Sequence, residues 1–320
     1  MRVLLHFRRI LDLSFLLFTA AACTAPAYDP STAVGKKAIL EQVHYLLTTS
    51  QCDAAIDVIG PLYNSIYTDN EVRMAFASAH ACKAELNYFQ MVNSIATNPA
   101  AYTGAALWQT LTQIFQSAPG DDRMESTWLA TDALQAAIGS GAVVPTLYQI
   151  NPDTDNVGSL QPGDRTDDSN SYLLFVSMAG IGATQNRYGN PGPSGLKGTD
   201  LPWSTHDLMD EVGCAYAGNI VNMLDGINVA SSTISGDVGG TLADIYDLFG
   251  AAIDNACLFG CTGADVFGVV FDADCVIPGT ECQTCPLEVR NRTTCIESTK
   301  GRCAAAGVVR YINDDPLGFG

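Results

Sequence analysis

The chain has 320 residues, 47% of them hydrophobic, with 34 Asp and Glu against 16 Lys and Arg and a formal charge of −18. That length supports one large domain or two modest ones, and the acidity argues against nucleic acid, which is bound by clustered cations. Eleven cysteines point to an oxidising compartment, and the composition excludes collagenous, coiled-coil and fully disordered chains.

Residues 1–22 read as an export signal. Arg2, Arg8 and Arg9 make a positive start, and Ile10 to Phe18 form an apolar run broken by Asp12 and Ser14. The run is too short to span a bilayer permanently. It leads into Ala20-Ala21-Ala22-Cys23. Small residues followed by a cysteine resemble the lipobox of bacterial lipoproteins, with Ala20 where leucine is usual. The resemblance implies that Cys23 is the lipidated first residue of the mature chain. Ordinary cleavage near Ala27, with no lipid, is the alternative. Thr24 rather than Asp follows the cysteine, and the resemblance therefore favours the outer membrane. Residues 23–35, with Pro26 and Pro30, form a short tether. Loss of three arginines and Asp12 brings the mature charge to about −20.

Residues 36–150 carry helical periodicity. Predicted helices start near Lys36, run over Cys52–Tyr63, continue from Asn70 to about Ala84, and cover Tyr88–Ile95. These make two helical hairpins, with Ala55, Ile59 and Leu62 on one apolar face. The stretch of about 60 residues resembles a pair of degenerate tetratricopeptide repeats. Ala55, Ile59 and Leu62 take the packing positions of a second helix, and Phe76, Ala77 and His80 those of the next first helix. Val43 and Phe89 depart from the pattern where it wants small residues. In such stacks the second helix of one unit runs antiparallel to the first helix of the next. Cys52, which starts one, then lies beside Cys82, which ends the other. The expected disulfide closes a loop of about 30 residues, worth about 3–4 kcal/mol by chain entropy; two buried free thiols are the alternative. Helices over Tyr102–Ser117 and Met124–Ile138, split by Ala118-Pro119-Gly120-Asp121-Asp122, suggest a third stacked hairpin.

Residues 151–256 form a further helical body, opened by an acidic loop at 151–171. Asn151, Asp153 and Asp155 have the alternate spacing of a calcium loop. The glycine at its sixth position and the glutamate at its twelfth are missing, so an acidic surface loop is the better reading. Helices are expected over Tyr172–Thr184, from Ser204 to about Leu224 with Cys214 inside, and from Thr241 to Leu258. On the last, Leu242, Ile245, Phe249 and Ile253 share one face. Asp244, Asp247 and Asp254 share the opposite one, which reads as solvated rather than as a cation site.

Residues 257–320 read as an irregular disulfide-rich module containing Cys257, Cys261, Cys275, Cys282, Cys285, Cys295 and Cys303. With Cys214 these make eight cysteines and 105 possible pairings. Zinc held by Cys282, Cys285, Cys295 and Cys303 is the alternative to disulfides. Arg290, Arg292, Lys300, Arg302 and Arg310 give this end a basic character. They suit either docking on the acidic body or meeting an anionic surface.

No catalytic motif emerges. His44 and His80 lie in the repeat-like helices, and His206 stands beside Asp207 in a first helical turn. Ser194-Gly195-Leu196-Lys197 matches S-x-x-K, but in a Pro/Gly loop rather than on a helix. The expectation is an all-α, lipid-anchored envelope protein of stacked hairpins, non-catalytic, with no cofactor and a protein partner in the cell envelope. The alternatives are a solute-binding partner of a transporter and a hydrolase with dispersed carboxylates.

Overall fold

The computed structural model describes residues 28–66, 69–102, 105–115, 122–137, 139, 162–201, 208–233, 237–262 and 287–313. They form α1 (Ala33–Thr48), α2 (Cys52–Ser65), α3 (Asn70–Lys83), α4 (Tyr88–Thr97), α5 (Ala105–Ile114) and α6 (Arg123–Gln135). Then follow α7 (Asp167–Gly189), α8 (Leu208–Thr233), α9 (Asp237–Thr262), α10 (Arg292–Glu297) and α11 (Thr299–Asn313). Short 3-10 turns lie at Pro99–Tyr102, Pro162–Asp164 and Leu287–Arg290. No strand occurs among the described residues, and the expected all-α class holds. None of these helices is long and apolar enough to cross a membrane.

Polar residues that can accept backbone N–H groups set the helix starts. Asp69 accepts from Glu71 at 2.9 Å, Asn87 from Gln90 at 3.0 Å, and Asn291 from Thr294 at 3.1 Å. Thr166 accepts from Ser169 at 3.1 Å, so α7 begins five residues before the apolar periodicity that predicts it. It stops where Asn190 turns left-handed at φ 44°. Two earlier helices end the same way, with Ser50 at φ 56° and Glu85 at φ 61°. At each, the next N–H reaches back five residues: Gln51 to Leu46 at 2.9 Å and Leu86 to Ala81 at 3.0 Å.

The chain divides into two compact units, residues 1–39 and 40–320, with the boundary inside α1. In the first, Asp29 accepts from the Ser31 N–H and hydroxyl at 2.9 and 2.6 Å, which holds its carboxyl below the ordinary range.

In the second unit the order of packing is not the order of the chain. α2 lies on α3, and the Cys52–Cys82 disulfide joins the start of one to the end of the other, so the two run antiparallel. α3 then packs on α6, α6 on α7, α7 on α8, and α8 on both α9 and α11. α5 packs on α7, where the sequence suggests a hairpin with α6; α4 lies against α9. One apolar cluster runs through α4, α5, α7, α8, α9 and α11 and includes Trp108, Phe175, Tyr216 and Phe249. α7 is buried on every side from Leu173 to Thr184. A helix buried all round belongs in the middle of a layered body.

The expectation of an irregular C-terminal module is corrected at residues 287–313, which are helical and buried against α8 and α9. The cause is the run Ala304-Ala305-Ala306-Gly307, whose small side chains let α11 lie directly on α9. A Cβ on Gly307 would stand 2.2 Å from the Ala256 carbonyl oxygen and 2.7 Å from the Gly260 backbone. Gly307→Ala therefore has to push α11 away from α9, at about 1–3 kcal/mol, typical of overpacking. Gly240 on α9 has nothing within 4 Å of its Cβ position, so Gly240→Ala gains roughly 0.5–1 kcal/mol from helix propensity. Urea unfolding of the two variants should show these opposite signs.

Candidate functional site

α6 and the loop after it carry polar residues into the interior, where they meet α7, α8 and the 287–290 turn. Gln135 is fully buried; it accepts from Arg165 Nη1 at 2.9 Å and donates to Asn222 and to the Arg290 carbonyl. Asn222 donates to that same carbonyl at 2.8 Å. Arg165 Nε donates to Asn170 at 2.7 Å, and the Ser169 hydroxyl donates to the Leu134 carbonyl at 2.5 Å. Arg73, also buried, donates to the Ala136 carbonyl from α3. Buried polar groups of this kind stabilise only when matched, so the seam admits one register of these helices.

Beside the seam the basic C-terminal residues dock on acidic ones. Arg290 makes a bidentate pair with Asp225 of α8 at 2.6 and 3.1 Å, and Lys300 meets Glu288 at 2.9 Å. Arg292 Nη2 meets Asp132 of α6 at 3.1 Å, while its Nη1 donates to Glu211 of α8. Its guanidinium also covers the Trp128 ring, 5.0 Å from the centroid. Of the two roles the sequence left open for this basic cluster, docking on the body is the one Arg290 and Arg292 take, while Lys300 pairs within the C-terminal segment itself. Burial pushes the Asp132 carboxyl up, and Arg292 opposes that shift. Asp132 and Glu211 thus converge on one guanidinium, whose single charge offsets one of their two, and both carboxylates are engaged by it.

The disulfide between Cys214 and Cys295 lies one helical turn away. Glu211 and Cys214 are three residues apart on α8, as are Arg292 and Cys295 on α10, so one ionic and one covalent link join the same two faces. Cys257, Cys261 and Cys303 are disulfide-bonded as well. The zinc set of Cys282, Cys285, Cys295 and Cys303 is therefore corrected: Cys295 and Cys303 are disulfide sulfurs. Cys23, Cys275, Cys282 and Cys285 lie outside the described residues, as do His206 and residues 151–161 of the calcium-like loop.

Of the remaining candidates, Asp244 and Asp247 are exposed, and so is His44. His80 is buried on α3 against the Phe76 ring at 4.5 Å, and its Nδ1 finds no hydrogen-bond partner among the described residues. Burial, with the Lys83 charge, pushes its pKa down to about 4, against an opposing pull from Asp122. Lys83 itself bridges Asp53 at 2.7 Å and Asp122 at 2.6 Å, tying α2 to the start of α6 beside the Cys52–Cys82 disulfide.

The S-x-x-K residues occupy the strap that follows α7. Ser194 is exposed, and Lys197 Nζ donates to Asp200 at 3.0 Å and to the Asn313 carbonyl at 2.6 Å, so the two do not form a nucleophile and base. Asn313 and Leu201 exchange two hydrogen bonds of 2.8 Å, clasping the strap to the end of α11. Gly195, at φ 78°, lies so close to α5 that a Cβ would meet the Gln109 carbonyl oxygen at 2.4 Å. Between strap and helices lies a narrow cleft with room for about one or two water molecules, walled by Trp108, Pro191, Leu201 and Ile312. Sequence reasoning missed it because its walls come from segments far apart in the chain. The unusual Gly/Pro content of 189–198 was the one local signal.

The fold and these sites define an all-helical protein cross-linked by disulfides. The chain matches no protein-family model, no curated protein and no solved structure.

Two outcomes follow from the geometry. The unfolded chain protonates His80 near its ordinary 6.5, while the native state resists until about 4. Native stability should therefore fall as pH drops from 6.5 towards 4, by roughly 3 kcal/mol from this residue. Comparing unfolding of the parent and His80→Phe across that window isolates the effect, since the variant lacks it. Separately, Arg292→Met strands Asp132 and should cost about 2 kcal/mol, below the range for fully enclosed pairs because a quarter of the Asp132 side chain is exposed. Adding Asp132→Leu should restore much of the loss; a double variant as unstable as the sum of both singles would disprove the pairing.

Proposed function

We propose that the chain is an exported, lipid-anchored protein of the bacterial cell envelope whose helical body is a non-catalytic binding or scaffolding module. The observation that carries this reading is the disulfide cross-linking of the folded body, at Cys52–Cys82 and Cys214–Cys295, behind a leader ending in Ala20-Ala21-Ala22-Cys23. Disulfides persist outside the cytoplasm, and small residues before a cysteine suit lipid attachment at Cys23. On this reading the anchor seats the protein in the outer membrane. The α2–α3 pair, where the sequence is similar to tetratricopeptide repeats, belongs to the binding surface. Phe89 at the start of α4 supports a protein partner: it is 83% exposed, with Tyr88 packed edge-on against it at 5.6 Å.

The alternative of a solute-binding partner of a transporter has less support, because the cleft beneath the strap is narrow and its walls Trp108, Leu201 and Ile312 are buried. The hydrolase reading has less support, because Asp132 and Glu211 are both engaged by Arg292.

Globomycin should block maturation, and a labelled fatty acid should appear on the parent but not on Cys23→Ala. Normal processing with no label would remove the anchor. Pull-down from detergent-solubilised envelope should recover a partner that Phe89→Ser weakens at least tenfold.

A further inference from the structure

We infer that the Cys52–Cys82 disulfide is a site of reversible thiol–disulfide exchange, opened by an external dithiol while the protein stays folded. Access separates it from the Cys214–Cys295 pair. Cys52 and Cys82 are both partly exposed, whereas Cys214 and Cys295 are 1% and 0% exposed. Exchange begins when a thiolate reaches one sulfur in line with the S–S bond, so a buried pair is closed to reagent in the native state. Arg292, one turn from Cys295 and held by Asp132 and Glu211, keeps α10 seated and that second pair covered.

The two sulfurs are not equivalent. Cys52 is the first residue of α2, and Gln51 before it makes no side-chain hydrogen bond to the N–H groups of that turn, unlike Asp69, Asn87, Thr166 and Asn291 at their helices. Unsatisfied N–H groups at a helix start stabilise a thiolate. Asp53, the acid of the same turn, is paired with Lys83 at 2.7 Å, which offsets its repulsion. Cys52 is therefore the leaving group and Cys82 the sulfur attacked. One thiolate of the dithiol bonds to Cys82 Sγ, the Cys52–Cys82 bond breaks, and Cys52 departs as a thiolate. The second thiolate then bonds to the reagent sulfur of this mixed disulfide, and Cys82 departs in turn. The dithiol gives up two electrons and becomes a disulfide, the protein pair is reduced by the same two, and the two protons the dithiol loses reach the cysteines through water.

Contacts that do not pass through sulfur hold the opened form together. Ala55, Ile59 and Leu62 of α2 are buried, and Tyr63 stacks on Phe76 of α3 with ring centroids 4.0 Å apart. Lys83 of α3 bridges Asp53 of α2 and Asp122 at the start of α6. With α2 still on α3, the Cα atoms of the pair stay near their 5.5 Å separation, and the disulfide can close again. Exchange at this pair needs neither the lipid anchor nor a protein partner.

The test exposes the purified chain to dithiothreitol, quenches samples with N-ethylmaleimide, and locates the alkylated cysteines by peptide mass. Cys52 and Cys82 should become alkylated at least tenfold faster than Cys214 and Cys295, with the helical circular dichroism unchanged. Oxidised glutathione should then close the pair again. In concentrated urea the two pairs should open at rates within about twofold, because only the fold distinguishes their access. Under the monothiol 2-mercaptoethanol, the quenched intermediate should carry the reagent on Cys82 and the maleimide on Cys52. Equal native rates, a tenfold difference that persists in urea, the reagent on Cys52, or loss of helicity on opening would each overturn the proposal.

Discussion

Arg292 reaches from a six-residue helix to carboxylates on two others, Asp132 on α6 and Glu211 on α8, while its plane covers Trp128. A helix as short as α10 has no stability of its own and exists because its neighbours hold it. Here the ionic contact and the Cys214–Cys295 disulfide act one turn apart on the same pair of faces. They position the 287–290 turn, whose Arg290 carbonyl completes the hydrogen bonds of Gln135 and Asn222. They also set where α11 begins, and so where Asn313 stands to clasp the strap. The cleft is downstream of that clamp.

The clamp works because the body around it is acidic. Each cation that docks the C-terminal helices replaces repulsion between carboxylates with attraction, and each pair lies in or near a partly enclosed seam. Exposed pairs contribute little to stability, whereas enclosed ones are costly to break by removing one partner. Arg290, bidentate on Asp225, and Arg292 belong to the second kind. Lys83, between the exposed carboxylates of Asp53 and Asp122, belongs to the first. Near it the Cys52–Cys82 disulfide supplies the covalent hold, and buried His80 makes the same region sensitive to acid.

Helix positions were legible because apolar periodicity and capping residues are local. Thr166 and Asn190 bound α7, and Asp69 and Asn87 start α3 and α4, through groups within a few residues of the backbone they satisfy. The juxtaposition of Cys52 and Cys82 depends on nothing beyond the antiparallel run of two adjacent helices. Cys214 and Cys295, 81 residues apart, carry no such mark. Their pairing follows from where α10 docks, and that is decided by Asp132, Glu211 and Trp128, residues from distant stretches of the chain. The strap was visible as a Gly/Pro segment, but its cleft was not, since Trp108 and Ile312 meet it from about 80 residues before and 110 after.

The sequence by itself determined the helical class and the acidic character of the chain. These rest on composition and on patterns a few residues long, which the backbone reads locally. Only the tertiary structure decided that the cysteine-rich end is helical at 287–313, that its arginines turn inward, and that α3 packs on α6 while α4 goes to α9. Those outcomes depend on small residues such as Gly307 meeting a backbone with room for nothing larger, and on buried polar groups finding partners far along the chain. No local pattern encodes a contact whose two halves lie 160 residues apart, as Asp132 and Arg292 do.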